Sequence, residues 1–261
     1  MVEGLFEELA RLPEVEAIAL GGSRAGAHFD EKSDYDVYVY CTGTIGEERR
    51  RALLSAYCGV MEIGNHFWEY EDNCTLRNGV DIDILYRDLD ALCEDVAAVA
   101  ERFEARNGYT TCMWHNLRTC RILYDRDGRL AAAKRRFDVP YPEALRKNIL
   151  ERGMRLLHGS LPAYDGQIGK AIARGDLVSI GHRTAAFMEA YIDVIFALNR
   201  KTHPGEKRLV TLCRAQCGLL PGQFEENIRA LYAHLYTDGE RAREDIRRMA
   251  AELEALVDKH G

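Results

Sequence analysis

An α+β fold, a mixed β-sheet flanked by helices and followed by an α-helical bundle, is what this 261-residue chain predicts. Three observations carry the prediction. Up to residue 139, short strand-like runs alternate with helical patterns. Two of those runs place aspartates at alternate positions, Asp34-Tyr35-Asp36 and Asp81-Ile82-Asp83. Beyond Pro140 and Pro142 the patterns are almost exclusively helical, so the boundary is set there, giving domains at 1–139 and 140–261.

Taken in order, residues 2–12 read as a short amphipathic helix, and Glu16 to Leu20 as a strand that ends at the glycines of GGS. The stretch SDYDVYVY is the next strand. GEERRRALLSAYCGVM has helical periodicity. HFWEYEDNCTL, Val80 to Tyr86 and Arg121 to Tyr124 are further strands, and turn residues at 124–128 lead into the helical LAAAKRRF. From 143 to 260 the spacing predicts about five helices, the clearest being HRTAAFMEAYIDVIFALNR and the final GERAREDIRRMAAELEALVDKH.

Composition narrows the function classes. A hydrophobic share of 47% with 30% charged residues describes a globular chain without low-complexity tracts. The formal charge of -7 repels a nucleic-acid backbone on average, so a nucleic-acid partner is not expected. No apolar run approaches the roughly 20 residues of a membrane span, and the acidic start does not read as a signal peptide, so a cytoplasmic location and no membrane partner are expected. The eight cysteines lack CxxC spacing and read as reduced, mostly buried thiols. Cys112, His115 and Cys120, or Cys213 and Cys217, fall short of four metal ligands.

Side chains two apart on a strand share a face, which puts Asp34 and Asp36 about 7 Å apart along the backbone. Such a pair is costly without a compensating cation, and oxygen-only ligands suit magnesium or manganese. A second acidic strand, with Asp81 and Asp83 opposite an apolar face of Val80, Ile82 and Ile84, would add carboxylates of the density that two-metal phosphoryl transfer uses. Gly21 and Gly22 permit a sharp bend and close approach of a phosphate to backbone N–H groups, with the Ser23 hydroxyl as a further donor. Neither the Walker pattern nor the dinucleotide fingerprint is present.

The succession of strand, Gly22-Ser23, Asp34-Tyr35-Asp36 and a later acidic strand resembles the polymerase-beta-type nucleotidyltransferase superfamily. GGSRA, SDYDVYVY, FWEYEDN, GVDIDILYRDLD and RILYDRDGRLAAAK look most like its bacterial branch related to aminoglycoside and lincosamide nucleotidyltransferases. The helical part is similar through ARGD at 173–176 and IFALNRKTHPGEK at 195–207. The resemblance implies an N-terminal nucleotidyltransferase domain and a helical domain for substrate binding or oligomerisation. It makes Asp34, Asp36 and Asp83 ligands of a divalent metal, with Asp81 the competitor for the third position, and puts Gly22, Ser23, Arg24 and Lys207 on the nucleotide phosphates. Lys170 and Arg183 are lesser candidates.

The implied reaction moves a nucleoside monophosphate from an NTP, ATP foremost, to a hydroxyl of a small acceptor, antibiotic-like compounds included, and releases pyrophosphate. Glu189 is the candidate general base, with Asp193 one turn further on as its neighbour. Trp68 and Glu69 are candidates for the acceptor pocket. Two other functions remain open on the sequence: AMP transfer to a partner protein or toxin, and nucleotide sensing without catalysis. The oligomeric expectation is a monomer or a homodimer.

Overall fold

In the computed structural model, residues 2–25, 33–67 and 69–261 are described, the side chain of Ser23 excepted. Trp68 and the Ser23 hydroxyl therefore lie outside the described residues. Six strands form one sheet: β1 Val15–Leu20, β2 Tyr35–Cys41, β3 Cys58–Asn65, β4 Glu71–Leu76, β5 Asp81–Arg87 and β6 Arg121–Asp125. Their order is β3-β4-β5-β2-β1-β6. β1 is buried at every residue, Glu16 included, whose carboxylate accepts from Arg129. β2 and β5 pair in parallel, whereas the other four pairings are antiparallel.

A parallel pair needs a long crossover, and here the chain between β2 and β5 supplies α3 (Glu47–Leu54) and the β3–β4 pair. The turn into β5 follows from Asn78-Gly79. Gly79 takes φ +84, its N–H donates to the Leu76 carbonyl at 2.8 Å, and the Asn78 side chain accepts from Val80 N–H. One face of the sheet is apolar. Val37 and Val39 of β2 join Ile82 and Ile84 of β5 in a core that includes Leu5 and Leu9 of α1 (Val2–Ala10) and Leu54 of α3.

The sequence reading differs at GEERRRALLSAYCGVM, where a single helix was expected. α3 stops at Leu54, Ser55 closes it by donating its N–H to the Arg51 carbonyl, and Cys58 onward forms β3 against β4. Ladder pairing and the burial of Cys58 decide this against local helix propensity. Three helices accompany the later strands: α4 (Leu89–Ala100), α5 (Cys112–Thr119) and α6 (Arg129–Arg136). The first two are not among the helices read from the sequence, although Asp88 caps α4 by accepting from Ala91 N–H and Leu89, Leu92, Val96 and Val99 recur at helical spacing.

Beyond residue 140 six helices follow where about five were expected: α7 Glu143–Leu157, α8 Tyr164–Ala173, α9 Leu177–Leu198, α10 Leu209–Gln216, α11 Phe224–His234 and α12 Gly239–His260. Asp176 caps α9 by accepting from Ser179 N–H, and Asp238 caps α12 by accepting from Arg241 N–H. α9 is the spine of this part, with an uninterrupted buried run from Ala190 to Leu198. A methyl on Gly153 of α7 would strike the Val194 side chain, so glycine sets how closely α7 lies on α9.

Contacts divide the chain into two compact units, residues 1–97 with 116–139, and residues 98–115 with 140–261. Among the described residues no helix is long and apolar enough to cross a membrane. All eight cysteines are free thiols, and Cys58, Cys74, Cys120, Cys213 and Cys217 are buried.

In the first unit a buried ion pair ties α3 to β4. Arg50 Nη1 lies 3.3 Å from Asp72 Oδ1, both side chains are wholly buried, and the guanidinium sits over the rings of Tyr70 and Tyr86. Asp72 also accepts from Gly64 N–H and the Tyr86 hydroxyl. Asp72→Ala strands a buried guanidinium, so urea denaturation is expected to register a loss of about 3–5 kcal/mol. The double variant Arg50→Met, Asp72→Leu should recover much of it, and a single variant as stable as wild type would refute this account of the pair.

Candidate active site

The Gly-Gly turn is folded directly onto β2. Gly21 N–H donates to the Asp36 carbonyl at 2.8 Å, and Gly22 at φ +55 opens a single helical turn, α2 (Gly22–Ala25). A methyl at Gly21 would overlap the Tyr38 phenol, and one at Gly22 would overlap the Asp36 carboxylate. Without a Cβ at either glycine the turn lies directly on these two side chains, and its backbone rests against an acid.

The second relation is lateral. In the parallel pairing of β2 with β5, Asp36 stands opposite Asp83 and Tyr35 opposite Ile82. Neighbouring strands are about 4.8 Å apart, so the Asp36 and Asp83 carboxylates leave adjacent backbones on one face. Both residues are half-buried, while Asp34, just ahead of β2, is exposed. Asp83 is oriented from β4: Asn73 Nδ2 donates to Asp83 Oδ1 at 2.8 Å, and Asn73 Oδ1 accepts from Asn65 Nδ2 at 2.7 Å. Asp81 is exposed and accepts from the Thr75 hydroxyl. Of the two competitors, Asp83 is the one in register with Asp36.

Among the described residues no three His, Cys, Asp or Glu side chains already converge as a metal cage. The arrangement is an open platform of carboxylates on two strands. This donor set fits magnesium, which takes one or two carboxylates and completes its shell with substrate phosphate oxygens and water.

Arg24 closes the entry to β2. Its Nε donates to the Ser33 carbonyl at 2.6 Å, and its guanidinium lies 3.8 Å from the Tyr35 ring centroid. Glu69 is held by Arg87, which donates to both carboxylate oxygens at 2.7 and 2.5 Å. Arg87 lies 3.9 Å over the Tyr38 ring, and burial pushes the Tyr38 phenol up to about 12. Sequence reasoning missed Tyr38, Asn73 and Arg87. Parity was the available signal for two of them, since Tyr38 follows Asp36, and Arg87 follows Asp83, at even spacing on the same strand.

In the second unit, Glu189 lies on α9 beside a cavity of about 290 Å³. Burial pushes its carboxyl above the usual range, and the His182 side chain pulls the other way. Leu209 and Val210, which line the same cavity, begin α10 two residues beyond Lys207, itself exposed in the preceding turn. Asp193 has another task. It is buried and accepts from Thr110 N–H at 3.1 Å and the Thr110 hydroxyl at 2.6 Å, fixing the segment that presents Tyr109 to the cavity. Arg183 donates to the Gln167 carbonyl and Arg200 pairs with Glu143, so neither serves Glu189. Lys170 is exposed on α8 beside Arg243 and Arg247.

Comparison with known proteins adds the following. A family profile described as a domain of unknown function (DUF4037) matches residues 110–209, less than half of the chain. No curated protein matches. Among solved structures, the chain is similar to a nucleotidyltransferase-like protein from Exiguobacterium sibiricum, at 14% identity over 99% of this chain and 75% of that one, TM-score 0.42. It is also similar to an aminoglycoside 6-adenyltransferase from Bacillus subtilis, at 8% identity over 99% and 90%, TM-score 0.29. A third is a CCA-adding enzyme in complex with ATP, at 12% identity over 99% and 80%, TM-score 0.30. At these identities and TM-scores the likenesses carry no inference about activity, which rests on this chain's own residues.

Two outcomes follow from the geometry. Gly22→Ala must accommodate both the left-handed backbone and the Asp36 carboxylate, and urea denaturation is expected to show a loss of about 1–2 kcal/mol; unchanged stability would mean that the turn does not press on Asp36. Burial pushes Asp193 up to about 6, against the pull of its two Thr110 hydrogen bonds. The folded state therefore favours the protonated acid, and this group's contribution is full below about pH 4 and lost as pH rises through about 6. Relative to Asp193→Asn, wild type is expected to lose about 2 kcal/mol between about pH 4 and about pH 7. A difference independent of pH would refute the raised pKa.

Proposed function

We propose that the chain is a metal-dependent nucleotidyltransferase of the polymerase-beta type, transferring a nucleoside monophosphate from an NTP, ATP foremost, to a hydroxyl of a small acceptor. The observation that carries this reading is the stacking of the Gly21-Gly22 turn on Asp36, with Asp83 opposite Asp36 on the parallel strand. The glycine turn and a pair of carboxylates thereby occupy one place. Phosphoryl transfer asks for little covalent chemistry from protein and much positioning and charge neutralisation, which is what such a site offers.

In this reading Asp34, Asp36 and Asp83 hold a divalent magnesium or manganese ion, which when bound neutralises the triphosphate and stabilises charge on the attacking and leaving oxygens. Backbone N–H groups at Gly22 and Ser23 meet phosphate oxygens, with Arg24 and Lys207 as cationic partners. Asn73 keeps the Asp83 carboxylate turned to its task through the bond already described. Glu189 takes the acceptor's proton as general base; the acceptor oxygen forms a bond to the α-phosphorus, and the bond from that phosphorus to the pyrophosphate oxygen breaks. A carboxyl raised by burial is suited to that step, because its proton affinity moves towards neutral pH.

The test is incubation with magnesium and each labelled NTP over a panel of hydroxylated acceptors. Pyrophosphate release is expected with ATP above the other nucleotides. Asp36→Asn should abolish turnover, Asp83→Asn should lower it by about 10²-fold, and Asp81→Asn should stay near wild type. Absence of both pyrophosphate release and metal-dependent NTP binding would sink the proposal.

A further inference from the structure

Tyr38 stands two residues after Asp36 on β2, so its phenol rises from the same face of the sheet as the Asp36 carboxylate. A Cβ on Gly21 would strike the Tyr38 hydroxyl oxygen, and one on Gly22 would strike Asp36 Oδ2. Hydroxyl and carboxylate thus lie under one glycine turn. The ring is held by the Arg87 guanidinium, 3.9 Å from its centroid, and Arg87 is itself held by both oxygens of Glu69. A side chain this buried ordinarily has an internal partner for its polar atom. In the same unit the Tyr70 hydroxyl accepts from Arg50, the Tyr86 hydroxyl donates to Asp72, and Tyr40 is bonded to Arg87. Tyr38 is only 6% exposed, yet among the described residues its hydroxyl has no hydrogen-bond partner.

We propose that the Tyr38 hydroxyl is a ligand for a phosphate group of the NTP, donating its hydrogen bond from beneath the turn whose backbone N–H groups meet the same phosphate. The inference rests on the nucleotidyl-transfer reading and adds a residue to its nucleotide site. A phenol is uncharged at neutral pH and keeps one O–H to donate, and a hydrogen bond to a charged acceptor is stronger than one between neutral groups. Asp36, beside it, can only accept when ionised, so it faces a phosphate only through a metal ion. Arg87 has both its Nε and Nη2 on Glu69, so its part is to fix the ring. The unspent donor under the turn therefore belongs to Tyr38.

Calorimetry with magnesium and α,β-methylene-ATP reads nucleotide binding without turnover, and magnesium with tripolyphosphate reads the phosphates without base or sugar. Tyr38→Phe keeps the ring, its Arg87 contact and its fit under Gly21. Its melting temperature should match wild type, while both ligands should bind about tenfold to a hundredfold more weakly. Tyr40→Phe removes the next phenol hydroxyl of the same face, one already bonded to Arg87, and should bind both ligands as wild type does. Wild-type affinity of Tyr38→Phe for both ligands overturns the proposal and leaves the transfer reading standing. An equal loss in Tyr40→Phe also overturns it, because the effect would then run through Arg87. A loss for the nucleotide alone overturns it too, since the contact would then be to base or sugar. Wild type that binds neither ligand in the presence of magnesium overturns the transfer reading and the phosphate role together.

Discussion

The parallel register of β2 on β5 is the constraint on which the first unit's site depends. Val37, Val39, Ile82 and Ile84 are wholly buried on one face, and the alternation of a strand sends Asp36 and Asp83 to the other. A slip of one residue would bring acids to the core and β-branched side chains to the polar face, at about 1.5–3 kcal/mol for each apolar side chain exposed. The placement of the carboxylates is thus enforced by residues that take no part in any chemistry. The same logic sets Tyr38 and Arg87 further along that face, where the cation over the phenol and its bonds to Glu69 stiffen the ground on which the Gly21 turn rests.

Two contacts transmit that register to the turn. The Gly21 N–H to Asp36 carbonyl bond fixes height, and the absence of a Cβ at Gly21 and Gly22 lets the backbone descend onto Tyr38 and the Asp36 carboxylate. A turn made only to reverse direction would tolerate an alanine at one of these positions. Here a methyl at Gly21 would meet the Tyr38 phenol and one at Gly22 the Asp36 carboxylate, so the glycines report on close approach as much as on backbone conformation. Arg24 completes the junction by reaching the Ser33 carbonyl and the Tyr35 ring, which ties α2 to the start of the acidic strand. Its sequence position after Gly-Ser reads as a phosphate ligand, and the structure gives it a second occupation that holds the strand entry.

Period-two alternation made much of this legible beforehand. The acids at 34, 36, 81 and 83, the apolar partners between them and the glycine turn all carry their meaning within a few residues. What was not legible depends on pairing between distant segments. Nothing local says that β5 lies parallel to β2 with Asp83, not Asp81, opposite Asp36. The helical spacing of RRALLSAYCGVM extends over the start of β3, and only the ladder to β4 makes Cys58 to Met61 a strand. Asn73 could not be singled out at all, since a lone asparagine in a strand becomes an orienting group only when a carboxylate is opposite it.

Glu189 and Asp193 show why the second unit is harder to read from sequence. They stand one turn apart on α9, both carboxyls are raised by burial, and the spacing alone offers either as a base. Hydrogen bonding separates them. Asp193 accepts from Thr110 with both oxygens, a bond set that holds a backbone segment, and it does not line the cavity. Glu189 faces the cavity itself, next to the Tyr109 that Asp193 anchors. One acid therefore builds the wall and the other addresses what the wall encloses, and a raised proton affinity has different settings in the two places. At Asp193 it stores a pH-dependent cost in the fold. At Glu189 it belongs to a carboxyl that lines the cavity.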